Sequence, residues 1–380
     1  MRMFRIELYR IFSRKTTWFA MFAALMFSFF YGSTMLWGEG TIDAGNAYMR
    51  EEAIAKDKEI TSEFAGPLTE DTVRAIWEKY GAPVNYPDRY TTWDALQELA
   101  EKDGNDNYCN RFVAEWFGER TIGEDGRAVY VLPENLGENV YLSGEYYFEY
   151  LGNGWERFEK DVFVMAYILV CLVIVIALCP MFSEDYAFRT ADIILPTARG
   201  RFRLWWTRTA AGCCFSSLFY WVTCGMIFVQ ELAVYGAEGL KASCVFGIMS
   251  GFWPKDAMPV GRAIVFLYLA GWFSVLVLTL LVHAVSAGSR QSFSSMIKSL
   301  GVYFGPFVTM RVILNLFPMG RVNMLLHYIC YSMPLSYPEM IMEAPSGSGL
   351  EELLTASALT AAVLGGILGA RLYCRHQVKN

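Results

Sequence analysis

Charge is scarce in this 380-residue chain, where Asp, Glu, Lys and Arg together make up 18%, against roughly 25% in an ordinary soluble protein. Cations are not in excess either. The chain has 32 Lys and Arg against 38 Asp and Glu, a formal net charge of −6, which excludes a nucleic-acid protein built on a basic face. Histidine is nearly missing: His283, His327 and His376 lie in three separate segments. No H-E-x-x-H helix exists to hold a protease zinc, and no G-x-S-x-G elbow exists to present a nucleophilic serine. The dipeptide Gly-Lys never occurs, so the chain has no Walker A loop to cradle a nucleotide. Nine cysteines are present but no C-x-x-C, and five of them sit in long apolar runs, where Cys acts as a small apolar residue. No catalytic residue and no metal ligand is assigned.

Apolar residues fill the space that charge leaves. They make up 54% of the chain, 16% of it is aromatic, and the mean hydropathy is +0.27. They also come in blocks. A helix needs about 20 mostly apolar residues to cross the hydrocarbon core, because each backbone N–H and C=O there must be bonded internally. Six runs meet that length, at about 16–38, 162–183, 209–230, 263–286, 299–318 and 353–371, the fifth interrupted only by Arg311. Two shorter runs, 242–254 and 322–338 (the latter carrying Pro334 and Pro338), are expected to be interfacial or re-entrant. The expected fold class is an all-α polytopic membrane protein. It has six transmembrane helices and a large, mainly helical extracytoplasmic domain between the first and second.

Orientation follows from where Lys and Arg collect. Arg2, Arg5, Arg10, Arg14 and Lys15 precede the first run against Glu7 alone, and Arg371, Arg375 and Lys379 follow the last. Residues 38–160 instead hold 26 acids and 12 bases. Both termini are therefore expected in the cytoplasm of a multi-pass cell-membrane protein, with 39–160 outside. The first run is too long for a signal-peptide core, and Trp37 stands where small residues would be wanted, so no cleavage is expected. Residues 1–15 place Phe4, Leu8, Ile11 and Phe12 on one helical face, as an interfacial amphipathic helix would. Within 39–160, Thr69 precedes a periodic run through Val73, Ile76, Trp77 and Tyr80 that Gly81 stops. Thr91 with Asp94 predicts a second helix over Leu96 and Leu99, and 123–141 has the composition of a turn or small hairpin. Acidity of this domain is read mainly as solubility charge.

Two intramembrane features stand out. Arg311 lies about 18 Å from the inner edge at 1.5 Å per residue; at that depth a cation either holds helices together or serves a polar path. The last run carries Ala361, Gly365 and Gly369 on one helical edge, a small-x-x-x-small row that lets backbones approach closely.

The most informative passage is 184–208, between the second and third runs. Glu184 and Asp185 open it, Ile193, Ile194 and Leu195 form an apolar patch, Pro196 ends any helix, and Arg199, Arg201, Arg203 and Arg208 follow, the last of them with Trp205 and Trp206 as an interfacial anchor. This passage resembles the coupling loop in permease subunits of ABC-2-type ATP-binding-cassette exporters. Glu184, Thr190, Leu195, Pro196, Arg199 and Arg201 hold the matching positions, with Arg189 where a Gly usually stands beside the Thr. The Arg-rich N-terminal helix with Glu7, Leu8 and Arg10, the six spans and the segment before the last span extend the likeness over the membrane portion. The resemblance implies a translocation subunit without enzymatic activity and without a cofactor of its own. ATP and Mg would be bound by a separate cytoplasmic ABC ATPase. It further implies a homo- or heterodimer of permease chains in the lipid bilayer, with Glu184, Asp185, Arg189, Thr190, Leu195, Pro196, Arg199 and Arg201 seating on the ATPase. The rival expectation is a membrane receptor or regulatory protein that senses an external ligand through 39–160.

Overall fold

A computed structural model describes residues 2–84, 93–101, 104–122, 128–137, 139–190, 201–246, 257–318, 320–344 and 349–375. In chain order the first elements are α1 (Arg2–Phe12), α2 (Lys15–Ser33), β1 (Gly40–Asp43), β2 (Asn46–Met49), α3 (Glu51–Ser62), β3 (Gly66–Pro67) and α4 (Glu70–Tyr80). Then come α5 (Trp93–Ala100), α6 (Tyr108–Phe117), β4 (Glu119–Ile122), β5 (Ala128–Val131), β6 (Tyr147–Phe148) and α7 (Gly152–Glu156). The remainder is helical: α8 (Val164–Leu178), α9 (Pro180–Ala187), α10 (Phe202–Tyr235), α11 (Val260–Ala287), α12 (Ser292–Val308), α13 (Arg321–Tyr331), α14 (Tyr337–Glu343) and α15 (Leu350–Cys374). Backbone contacts group Met1–Ser28, Phe163–Ile227 and Val265–Asn380 into one compact unit, and Phe29–Val162 with Phe228–Ile264 into another.

The chain is mostly helical, and five of its helical stretches are long and apolar enough to cross a membrane: Lys15–Gly38, Phe158–Ala187, Phe202–Tyr235, Val260–Ala287 and Leu350–Cys374. In the first unit α8 is the packed centre, with 67% of its most apolar window buried against 17% for the stretch that starts with α2. Trp18, Phe19 and Phe22 of α2 point outward, a surface stable against lipid or protein and not against water.

The expected span at 299–318 is not among the five. Helix α12 ends at Val308, just past Pro306, whose missing N–H breaks the bonding ladder. A π turn over Thr309–Ile313 and a 3₁₀ turn over Leu314–Leu316 follow. Then α13 folds back, and the Asn323 amide donates to the carbonyls of Leu314 at 3.1 Å and of Phe317 and Pro318 at 3.3 Å. Nor is 322–338 one helix, since α13 stops at Tyr331 and a turn leads into α14. The Pro334 carbonyl in that turn accepts from the Tyr167 hydroxyl of α8 and, at 2.9 Å, from the Ser274 hydroxyl of α11. Irregular backbone survives among apolar helices where protein groups bond it this way.

The second unit is small helices and short hairpins. Helix α4 is the one expected after Thr69, whose side chain accepts from the Thr72 N–H, and Gly81 at φ +65° ends it. The β1–β2 turn places Ala44 and Gly45 both at positive φ, as a tight two-residue hairpin requires. Strands β4 and β5 pair from Glu119↔Val131 to Ile122↔Ala128, which puts a hairpin at the start of the Gly-rich 123–141 stretch. Phe112, Trp116, Tyr141, Tyr146, Phe148 and Phe246 form the aromatic centre, with ring centroids 4.6–5.9 Å apart along the cluster. Phe246 belongs to the stretch expected at the membrane interface. Its neighbour Ser243 hydrogen-bonds Tyr147 through both backbone and hydroxyl, so 242–246 is part of this unit's core. The rest of 242–254 lies outside the described residues.

Candidate functional site

The first unit gathers opposite charges where α1, α9 and the first turns of α10 meet. Arg208, only 2% exposed, is the hub. Its guanidinium binds the Asp185 carboxylate, ion-pairs with Glu7 at 3.2 Å and lies over the Phe182 ring at 5.3 Å. Arg10 donates to Glu184 and Asp185, each at 3.2 Å, and Arg14 donates to Glu184 at 2.5 Å and to the Ala177 carbonyl at 3.0 Å. Three acids and three arginines thus neutralise one another in a site that is largely closed to water. Buried ions demand such pairing, because either sign left alone is costly.

Sequence periodicity placed Phe4, Leu8, Ile11 and Phe12 on the inner face of α1. Glu7 is on that face too and is buried, because Arg208 waits for it. Helix α9 is set off from α8 by Pro180, which stands at its first position. The break is stitched by Ser286 of α11: its hydroxyl donates to the Cys179 carbonyl at 2.7 Å and accepts from the N–H groups of Phe182 and Ser183 at 3.1 and 3.2 Å. Beneath the charges lies an aromatic layer in which Phe182 stacks on Trp205 at 4.7 Å and meets Tyr373 edge-on at 5.1 Å.

Of the residues singled out from sequence, Glu184 and Asp185 are in this cluster. Arg189 follows α9 with φ +56°, and Thr190 donates to the Asp185 carbonyl at 3.3 Å. Leu195, Pro196 and Arg199 lie outside the described residues, and Arg201 sits just before α10. A left-handed residue with a Cβ costs about 1–2 kcal/mol, and Arg189 is one. Arg189→Gly is therefore expected to stabilise the first unit by up to about 1 kcal/mol, read as a rise in its thermal midpoint. A fall would show that the Arg189 side chain itself holds the loop.

Arg311 is exposed, lies within the π turn, and has its guanidinium 5.7 Å from the Phe307 ring centre. In α15, Gly365 packs on Leu281 and Gly369 on Trp205 and Ala284, while Ala361 borders a groove described below. A Cβ on Gly369 would come within 2.3 Å of the Trp205 ring and 2.9 Å of the Ala284 Cα. Gly369→Val is expected to destabilise the bundle by about 1–3 kcal/mol through overpacking, read from the thermal midpoint, whereas Gly366→Val, at an open position, should leave it nearly unchanged.

The second unit holds buried carboxylates that the composition had counted as surface charge. Asp57 accepts from the Thr41 hydroxyl at 2.5 Å and the Tyr108 N–H at 3.0 Å, with Arg111 at 3.5 Å. Burial raises its pKa against the pull of Arg111. Asp106, 3.4 Å from Arg111, is lifted by burial to about 6. Glu39 accepts from the Asn153 N–H at 2.6 Å, and burial pushes it up to about 7. Cys109 is buried and its thiol is pushed up to about 12, the opposite of what a nucleophilic cysteine needs. Among the described residues no group of three His, Cys, Asp or Glu is arranged to hold a metal ion. No family model, no curated protein and no solved structure matches the chain.

Proposed function

We propose that this chain is the membrane-spanning permease subunit of an ATP-driven exporter of the ABC-2 type, with 184–203 as the contact for a separate cytoplasmic ATPase. In this reading both termini face the cytoplasm, 299–318 is a sixth, interrupted crossing, and most of 39–160 lies outside. A second permease chain completes the path. The observation that carries the reading is the ion cluster. It ties the first residues of the proposed contact, Glu184 and Asp185, to α1 and to Arg208 beyond the contact's far end. A push delivered to that segment would therefore move α1, α9 and α10 together, pivoting at Pro180. Coupling needs a two-state element biased by the partner's nucleotide state, and a hinged, internally neutralised block is suited to be one.

The test is reconstitution of the full chain in vesicles with whichever ATPase co-purifies from its native membrane. Glu184→Ala and Arg14→Ala, at the partly exposed side of the cluster, should leave the chain folded and lower chain-stimulated ATP hydrolysis at least about tenfold, a coupling loss of about 1.4 kcal/mol. Failure of any ATPase to co-purify would overturn the reading. If deletion within 39–160 abolishes a signalling output and nothing is transported, the receptor alternative replaces it.

A further inference from the structure

Between α11, α12 and α15, all within the first unit, runs a groove of about 690 Å³ that none of the preceding functions uses. Its floor is apolar and is hollowed by small residues, with Ala361 and Gly365 on α15, Ala284 on α11 and Gly288 just past the end of α11. Its rim is not apolar. Lys298, in the second turn of α12, and Arg371, in the last turn of α15, both line the same groove. Both are exposed, and among the described residues neither has an acidic partner within ion-pair distance. Ala361 to Arg371 spans ten residues, so the apolar trough extends about 15 Å along the helix from the cationic end.

We propose that this groove binds one anionic glycerophospholipid, an acyl chain lying in the trough and the phosphate held between Lys298 and Arg371. Three observations select that occupant. An unpaired cation pair at a helix end, beside a trough open to the side, matches a headgroup at the membrane interface joined to a chain in the hydrocarbon. A second copy of this chain is a poor cover, because the segments beside this rim, Arg290 and Arg375 included, repeat the same positive charge. The opposite end of the same helix pair supplies a contrast. There a groove of about 590 Å³ between α11, α14 and α15 has Glu351 and Glu352 among its lining, so apolar walls recur while the first rim, and not this one, is cationic. The inference rests on the membrane reading of these helices and not on the ATPase partner, so it stands or falls separately from the permease proposal.

The experiment is native mass spectrometry of the detergent-purified full chain. It is titrated with phosphatidylglycerol or phosphatidylcholine of identical acyl chains, with thermal midpoints measured in parallel. A phosphate-binding cation near a membrane surface strengthens binding about fivefold. Wild type should therefore prefer phosphatidylglycerol, whose headgroup is net anionic, over phosphatidylcholine, whose choline cation offsets its phosphate, by up to roughly 25-fold, and Lys298→Gln with Arg371→Gln should erase that preference chiefly by weakening phosphatidylglycerol. Ala361→Trp, which fills the trough, should reduce binding of both lipids. Equal binding of the two lipids by wild type, or an undiminished preference in the double variant, overturns the proposal. So does a thermal shift reproduced by inorganic phosphate alone, or a lipid-insensitive dimer in which the groove is occluded.

Discussion

Arg208→Met is expected to cost the first unit about 3 kcal/mol, because Glu7 and Asp185 would remain buried with the partly exposed Arg10 as their one remaining cation among the described residues. Both carboxylates are under 10% exposed, so water cannot replace the guanidinium without opening α1 away from α9 and α10. The readout is the thermal midpoint of the detergent-purified chain, lowered on the order of 10 °C. Removing the charges together changes the outcome. Arg208→Met combined with Glu7→Gln and Asp185→Asn should recover most of the loss, since an apolar or neutral replacement of a whole buried ion group is often tolerated. If the single variant melts with wild type, the cluster is not closed to water and the rigid-block account of α1, α9 and α10 fails. The rescue also separates stability from coupling: the triple variant should fold yet respond poorly to a partner ATPase, having lost the ties that join the two sides of the contact segment.

The second unit should lose stability as pH rises through the weakly acidic range, the reverse of a domain held by ordinary surface acids. Glu39 moves from its ordinary 4.5 to about 7 on folding, and Asp106 from 3.8 to about 6. Between about pH 4 and pH 7 the folded chain therefore keeps protons that the unfolded chain has released, and the slope of stability with pH is negative. Integrated over the Glu39 shift alone, the loss is about 3 kcal/mol, complete near pH 8. Pulse proteolysis at sites within 51–117, compared at pH 5 and pH 8 under equal denaturant, should find more of the unit open at pH 8. Glu39→Gln, which keeps an acceptor for the Asn153 N–H but cannot ionise, should remove about half of that dependence and leave the comparable step from Asp106. A unit more stable at pH 8 than at pH 5 would contradict the burial on which the shifts depend.

Much of the helical framework was legible because hydrophobic run length is a local property. Five of the six runs read from sequence are helices able to cross a membrane, and Thr69, Gly81 and the periodic Val73 and Ile76 placed α4 closely. Where regularity depended on one residue, length misled: Pro306 and the returning α13 interrupt 299–318. The 322–338 stretch, expected to be interfacial or re-entrant, divides at a turn where Tyr167 and Ser274 bond the Pro334 carbonyl. The site was only half legible. Glu184 and Asp185 announced themselves as acids at the end of an apolar run, but Arg208 read as one more interfacial arginine. Its partners are 23 and 201 positions away, and spacing encodes no such contact. Glu7 on the apolar face of α1 was the available signal: an acid among Phe4, Leu8 and Ile11 requires a buried cation. Asp57 carried the same kind of signal, lying between Ile54 and Ile60 on the inner face of α3, whereas a count of charges over 38–160 says nothing about which are buried.

The proposed function requires the chain after α9 to face the cytoplasm within reach of an ATPase. A photo-crosslinking residue at Thr190, introduced in the full chain and activated in intact cells, tests it directly. Covalent capture of a Walker A-containing protein, with the site inaccessible to membrane-impermeant reagents added outside, is the result expected. Labelling of that site from the external side, or capture of lipid alone while the chain is transport-competent, is the result that contradicts it.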